Sequence, residues 1–402
     1  LYEYFNMYKC FNYFYTSTMN NKYFDYIICG GGASGILLLK ALRQDNYFED
    51  QTILIIDKEL KSGNDRTWCY WEKPIGEFDS ILSQKWDRAQ FSSDTHTSEF
   101  DLNPFQYKML RSGIIYDKFH KQIKNFKKTK FLLAEIKDII SKGSHTEVIT
   151  SSGSFKSKRV FSSLFDLKPL LNQNKYPVLK QHFLGWFIKT KKPVFDPKKI
   201  TFMDFNIPQE NETRFIYLLP QNSHEALVEY TLFSKNLLRI EEYENGIKSY
   251  LESKGIVDFI IEEKEKGSIP MTCFPFYKLN TPSLLHIGTA GGWTKPSTGF
   301  TFMNTRRKID SLLSFLKTKK PLDVFSFKNR FLFYDLLFID VLTKYNDQGS
   351  NLFARMFQKN HPVDVLRFID EKSSFLKELK IFISFSFKQQ VWFLDAIRRR
   401  IF

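Results

Sequence analysis

Gly30, Gly31, Gly32 and Gly35 stand between two apolar runs in YFDYIICGGGASGILLLKAL, residues 23 to 42. A strand over Tyr26 to Cys29 and a helix from Ile36 to Leu42 make them a strand-to-helix turn with GxGxxG spacing. The chemistry of such a turn is phosphate binding. Gly30 allows the tight turn, Gly32 removes a Cβ that would block a pyrophosphate, and Gly35 lets helix and strand approach. The phosphates would rest on the helix N-terminus beside Ala33, where free N–H groups and the dipole favour negative charge. A second strand, TILIID, ends in Asp57, placed to accept hydrogen bonds from an adenosine ribose. Late in the chain GTAGGWTKPSTGF follows a strand ending at Ile287. Gly288, Gly291 and Gly292, with a helix carrying Pro296 and Gly299, would aim a second helix N-terminus at the pyrophosphate and ribityl region of a cofactor. Two glycine loops enclosing an inserted sheet favour FAD over NAD.

Other residues could act on a substrate. Strand alternation in ALVEYTLF puts Leu227, Glu229 and Thr231 on one face and Val228 and Tyr230 on the other. A carboxyl buried among apolar neighbours keeps its proton near neutral pH and can serve as a general acid, whereas on an edge strand it faces solvent. Asp204 in FMDF is either a second carboxylate beside the same chemistry or a turn former at a strand end. Arg66 and Trp68 in NDRTWCYWE contact a cofactor or substrate, or belong to a stabilised loop over an aromatic core. Phe215 and Tyr217 in RFIYLLP offer aromatic faces that stabilise a cation, or they are core. Seven histidines lack HExxH spacing and Cys10, Cys29, Cys69 and Cys273 lack CxxC spacing, so no metal site is expected and the chain reads as reduced and cytoplasmic.

The elements that must position these residues divide the 402-residue chain. The fold class expected is α/β. Residues 23–168 and 277–320 read as a Rossmann-type FAD-binding domain, 169–276 as an inserted antiparallel sheet that holds substrate, and 321–402 as a helical, membrane-contacting region. Residues 1–22 read as a leader, disordered or over-extended before Met19. No run of eighteen apolar residues occurs, so no spanning helix is expected. The net charge of +15 comes mostly from dispersed Lys, without the Arg-rich arm or finger spacing of a nucleic-acid binder. The 42 Phe reflect codon bias or a large apolar surface. RFLFYDLLFIDVLTK, NLFARMFQK and IFISFSFKQQVWFLDAIRRR mix Phe, Leu and Ile with Lys and Arg, as helices lying on a membrane surface do, or as helices covering a core do.

CGGGASG, NDRTWCYWE, RFIYLLP followed by ALVEYTLFS, and IPMTCFPF leading into GTAGGWTKPSTGFTF together resemble the bacterial lycopene β-cyclases, over residues 24 to 357. The glycine loops are shared by flavoproteins of this architecture, whereas the RTW segment and the strand carrying Glu229 are particular to that family. Thr289 follows Gly288 where many flavoproteins have Asp. The resemblance implies lycopene as substrate, reduced FAD with NAD(P)H as its reductant, and Glu229 as the acid. Lycopene offers no handle to a nucleophile, so ring closure must begin with protonation of a terminal double bond and must then stabilise a carbocation. Because a carotene is confined to the bilayer, peripheral attachment to the inner membrane is implied. A monooxygenase or prenyl reductase on the same scaffold is the alternative, and a flavin-binding carrier is a third reading.

Overall fold

The computed structural model describes residues 22–327 and 329–401, so the leader expected over 1–22 lies outside the described residues apart from Lys22. β1 (Tyr23–Cys29) leads through the glycine turn into α1 (Ala33–Gln44), and β2 (Ile53–Asp57) lies parallel to β1. All five residues of β2 are buried, as a parallel strand covered on both faces requires. β3 (Thr67–Glu72) and β4 (Gln84–Trp86) precede a hairpin of β5 (Arg88–Ser92) and β6 (Thr97–Asp101). β7 (Gln106–Arg111) returns to pair with β3 and β4 in a small sheet. After α2 (Ser112–Ile123), β8 (Thr129–Leu133), β9 (Ile136–Ser141), β10 (Thr146–Thr150) and β11 (Gly153–Ser162) complete the first large sheet, in the order β8-β2-β1-β11-β10-β9.

A short α3 (Lys168–Leu171) leads to the second large sheet: β12 (Leu179–Thr190), β13 (Lys199–Asp204), β14 (Thr213–Pro220), β15 (Glu225–Ser234) and, after α4 (Ile240–Ser253), β16 (Phe259–Met271). Its order is β16-β12-β15-β14-β13-β5-β6. The hairpin over 88–101 therefore belongs here, through the parallel β5–β13 pairing, and not to the nucleotide domain to which the 23–168 segment assigned it. Ala89 and Phe91 share a buried cluster with Phe202 and Phe205, which is what draws it across. α4, unforeseen in a strand-rich segment, covers the opposite face with a stripe of Tyr243, Ile247, Tyr250 and Leu251.

β17 (Leu284–His286) returns the chain to β11. α5 (Phe302–Leu316) starts later than expected, so Pro296 and Gly299 lie in the loop before it. Gly299 has φ +72, a left-handed conformation that interrupts a helix. α6 (Arg330–Lys344), α7 (Gly349–Lys359), α8 (Pro362–Ile369), α9 (Phe375–Ser384) and α10 (Phe387–Ile401) form the C-terminal region. Among the described residues no helix is long and apolar enough to cross a membrane. Much of the aromatic excess is internal, because α7 presses Phe353 and Phe357 onto the second sheet. Phe357 stacks on Phe91 at 4.5 Å, and Phe353 meets Phe205 at 5.7 Å and Phe233 at 6.1 Å. Phe353→Ala is expected to lower stability by ~3–5 kcal/mol, read from denaturant midpoints, and a loss below about 1 kcal/mol would contradict this packing.

Candidate active site

The three glycine roles separate in space. Gly30 has φ +104, and a Cβ on it would lie 2.2 Å from Ser163 Oγ. A Cβ on Gly35 would lie 2.0 Å from the carbonyl oxygen of Gly30, so strand and helix touch there. A Cβ on Gly32 would meet nothing within 4 Å. Gly32 is also the N-cap of α1, with no side-chain cap and no acidic residue in the first turn. An uncapped helix end facing open space leaves its N–H groups for an anion. Asp57, buried at the end of β2, accepts hydrogen bonds from the backbone of Gly31 at 2.6 Å and Glu59 at 3.1 Å. The second loop meets the first at Gly288, where a Cβ would lie 2.1 Å from Ser34 Oγ.

From the start of α1 a cleft of about 510 Å³ runs to the second sheet. It brings together Gly32, Ala33, Arg66, Trp68, Tyr217, Glu229 and Gly299. Thr289 also faces it, whereas Gly291 and Gly292 line a separate cavity behind the loop. Trp68 stacks on Phe302 at 5.0 Å. Phe215 is not in the cleft. It lies one pleat away from Tyr217 and is enclosed by Phe205, Tyr217 and Phe233, so it is core.

Asp204 is not in the cleft either. Ile200, Phe202 and Met203 all point into one buried cluster, and the register of β13 shifts between Thr201 and Asp204. That bulge turns Asp204 to the face covered by α4, where strict alternation would have kept it with Phe202. There it is 1% exposed, accepts a hydrogen bond from Tyr250 at 3.0 Å and lies 3.3 Å from Lys254 Nζ. Its role as a carboxylate beside the chemistry is thereby corrected to a structural one.

The second carboxylate of the cleft is Glu265, which sequence reading missed. On β12, Gly185 pairs with Glu229 of β15 on one side and with Glu265 of β16 on the other. A Cβ on Gly185 would lie 2.9 Å from Leu227, 3.4 Å from Glu265 and 3.6 Å from Glu229, so glycine clears the space between two acids. Glu229 accepts one hydrogen bond, from Thr231 Oγ1 at 2.7 Å. Burial and then the charge of Glu265 push its pKa up to about 8. Glu265 is also raised by burial, but Thr67, donating at 2.6 Å, and the guanidinium groups of Arg111 and Arg66 favour its ionised form. Glu263 opposes them as a like charge, but guanidinium groups act on Glu265 whereas the charge acting on Glu229 is Glu265 itself, which favours the proton on Glu229.

The model of the family described as lycopene cyclase protein matches residues 25–392. The chain belongs to the lycopene cyclase family. No curated protein matches its sequence. Solved flavoprotein structures share the fold of this cyclase-family chain. A geranylgeranyl bacteriochlorophyll reductase-like protein from Thermoplasma acidophilum is 12% identical over 94% of this chain and 99% of its own, with a TM-score of 0.64. A variant of the halogenase PltM in complex with FAD is 13% identical over 87% and 82%, with a TM-score of 0.59. The p-nitrophenol 4-monooxygenase PnpA from Pseudomonas putida DLL-E4 is 9% identical over 92% and 99%, with a TM-score of 0.53.

In this lycopene cyclase family member the signals that bear on Glu265 are local. Glycine in the middle of the apolar strand QHFLGWFIKT marks a close approach, and alternation in EEKEKG puts Glu263 and Glu265 on one face. The raised pKa of Glu229 fixes a sign for stability. Folding holds a proton that the unfolded chain releases near pH 4.5, so stability falls as pH rises from there to about 8. Glu229→Gln should remove that slope and gain on the order of a few kcal/mol at pH 8, measured by denaturation against pH. An unchanged slope would place the titration elsewhere.

Proposed function

We propose that the chain is a lycopene β-cyclase that closes β-ionone end rings with no net oxidation or reduction. The observation that carries this reading is Glu229, a carboxyl opening onto the cleft beside a second carboxyl, its pKa pushed up to about 8, in a member of the lycopene cyclase family. The cradle fits FAD: the uncapped start of α1 and the open side of Gly32 suit a pyrophosphate, and Asp57 at the end of β2 suits the adenosine ribose. Reduced FAD, when bound, supplies negative charge against which a carbocation is stabilised. NAD(P)H is the proposed reductant, and the proposed location is the cytoplasmic face of the inner membrane, held peripherally.

The chain's own residues supply the rest. Glu229 gives its proton to the terminal double bond, which leaves a tertiary cation. The neighbouring double bond closes on that cation to form the ring carbon–carbon bond, and loss of a ring proton gives the β end group. One proton enters and one leaves. Glu265, whose ionised form Thr67 and Arg111 favour against the effect of burial, is the carboxylate that receives the departing proton, and it lies across Gly185 from the acid that must be reprotonated. Trp68, Tyr217 and Phe300 line the cleft with aromatic faces that lower the cost of the cation.

Glu229→Gln keeps the shape but removes the transferable proton, and should cut β-carotene formation by ~10²–10⁴ while flavin absorbance is retained. Normal pigment yield from a lycopene-accumulating host would overturn the acid assignment. The rate should fall above about pH 8 as Glu229 ionises. In Glu265→Gln the loss of the neighbouring charge should move that alkaline limb to lower pH, and a limb that stays in place would show that the two carboxyls are uncoupled.

A further inference from the structure

The C-terminal helices enclose a second cavity of about 350 Å³, walled by Leu337, Phe338, Phe353, Met356, Ile369 and Phe382 among others. Its charged lining residues, Lys295 and Asp335, are ion-paired at 2.7 Å, and Ser297 donates to Asp335 at 2.7 Å. With those groups satisfied by one another, the space suits a hydrocarbon and not a polar ligand.

Its two ends are informative. Thr298 lines both this cavity and the Glu229 cleft, so the two spaces adjoin there. At the other end Ile383 of α9 and Leu394 of α10 line the cavity while remaining 64% and 62% exposed, so it opens between those helices. The mouth lies in an apolar face. Leu376, 78% exposed, precedes Ile383 on α9, and Phe387, 83% exposed, precedes Leu394 on α10. Leu379 and Val391 fill the intervening turns and keep each stripe on one side of its helix. Isolated exposed apolar residues are ordinary, but two aligned stripes around a cavity mouth mark an interaction surface.

Charge identifies the partner. Residues 372 to 401 hold seven Lys and Arg against Glu378 and Asp395. Glu378 is buried against Arg330 at 2.7 Å, and Asp395 is bridged by Lys344 at 3.3 Å. Lys377, Lys380, Lys388 and Arg398 are exposed around the stripes. Apolar side chains ringed by cations match an anionic bilayer, with rings and aliphatic chains among the acyl tails and ammonium groups at the headgroups.

We propose that this cavity is the channel through which a long hydrocarbon passes from an anionic bilayer to the Glu229 cleft, with its mouth between α9 and α10 seated on the lipid. The destination rests on the proposed cyclase reaction. A polyene whose end group reaches Glu229 extends beyond the cleft, and the cavity supplies apolar wall for the remainder.

The test uses the full chain with oxidised FAD and no reductant, so nothing turns over. Vesicles of phosphatidylcholine, with or without a minority of phosphatidylglycerol, carry lycopene, and both flotation and protein-retained lycopene are measured. The native chain should float with the anionic vesicles, float poorly with the neutral ones, and retain lycopene. Leu394→Glu should reduce both readouts by at least ~10-fold, since a charge replaces an apolar anchor. Ile397→Trp fills the cavity, and should keep flotation while losing lycopene retention; flavin absorbance reports that each variant folds. Equal flotation on neutral vesicles would overturn the docking face, and full lycopene retention by Ile397→Trp would overturn the channel. A native chain that docks and retains lycopene but leaves it acyclic after reduction would contradict the cyclase reading alone.

Discussion

A carboxylic acid that is to protonate a hydrocarbon must stay neutral at working pH, and it must do so where water cannot compete for the proton. The proposed reaction places that demand on Glu229. Burial raises its pKa, and Glu265 raises it further because two carboxylates so placed cannot both ionise cheaply. Gly185 permits the pairing by leaving no side chain between them. Thr67 and Arg111 favour the ionised form of Glu265 against its burial. A cation beside Glu229 would favour its ionised form and undo the arrangement.

The sheet that holds the acid and the loops that form the cradle are joined physically. Gly299, from the second glycine segment, packs so closely on Gln181 of β12 that a Cβ would lie 2.1 Å from the amide oxygen. Thr67, which hydrogen-bonds Glu265, starts the strand that runs through Trp68 beside the cradle. Small movements of either half therefore alter the cleft that both define. α4 on the far side and α7 on the near side hold the second sheet between two apolar clusters, which keeps the carboxyls at fixed depth.

What was legible in the sequence was what depends on neighbours in the chain. The GxGxxG turn, the burial of β2 and the face of Glu229 follow from local pattern, and the structure has each in place. The face of Asp204 is not readable from the sequence, because a single extra residue in β13 reverses it and nothing in FMDF announces a bulge. Phe215 and Tyr217 look alike in sequence, and only the packing of Phe205 and Phe233 distinguishes core from cleft. The sheet that the hairpin at 88–101 joins is not readable from its own segment, because its partner, β13, is far along the chain. Glu265 sits in EEKEKG on an edge strand, a composition that reads as a solvated edge guarding against aggregation, and its opposition to Glu229 exists only through Gly185.

The proposed ring closure is proton-in, proton-out, with electrons conserved. The most direct measurement is product mass and nicotinamide consumption in deuterated water with the flavin reduced beforehand. One solvent deuteron in each new ring, with no donor oxidised in proportion to product, is the expected result. Rings without solvent deuterium, or donor oxidised one-to-one with product, would contradict the account.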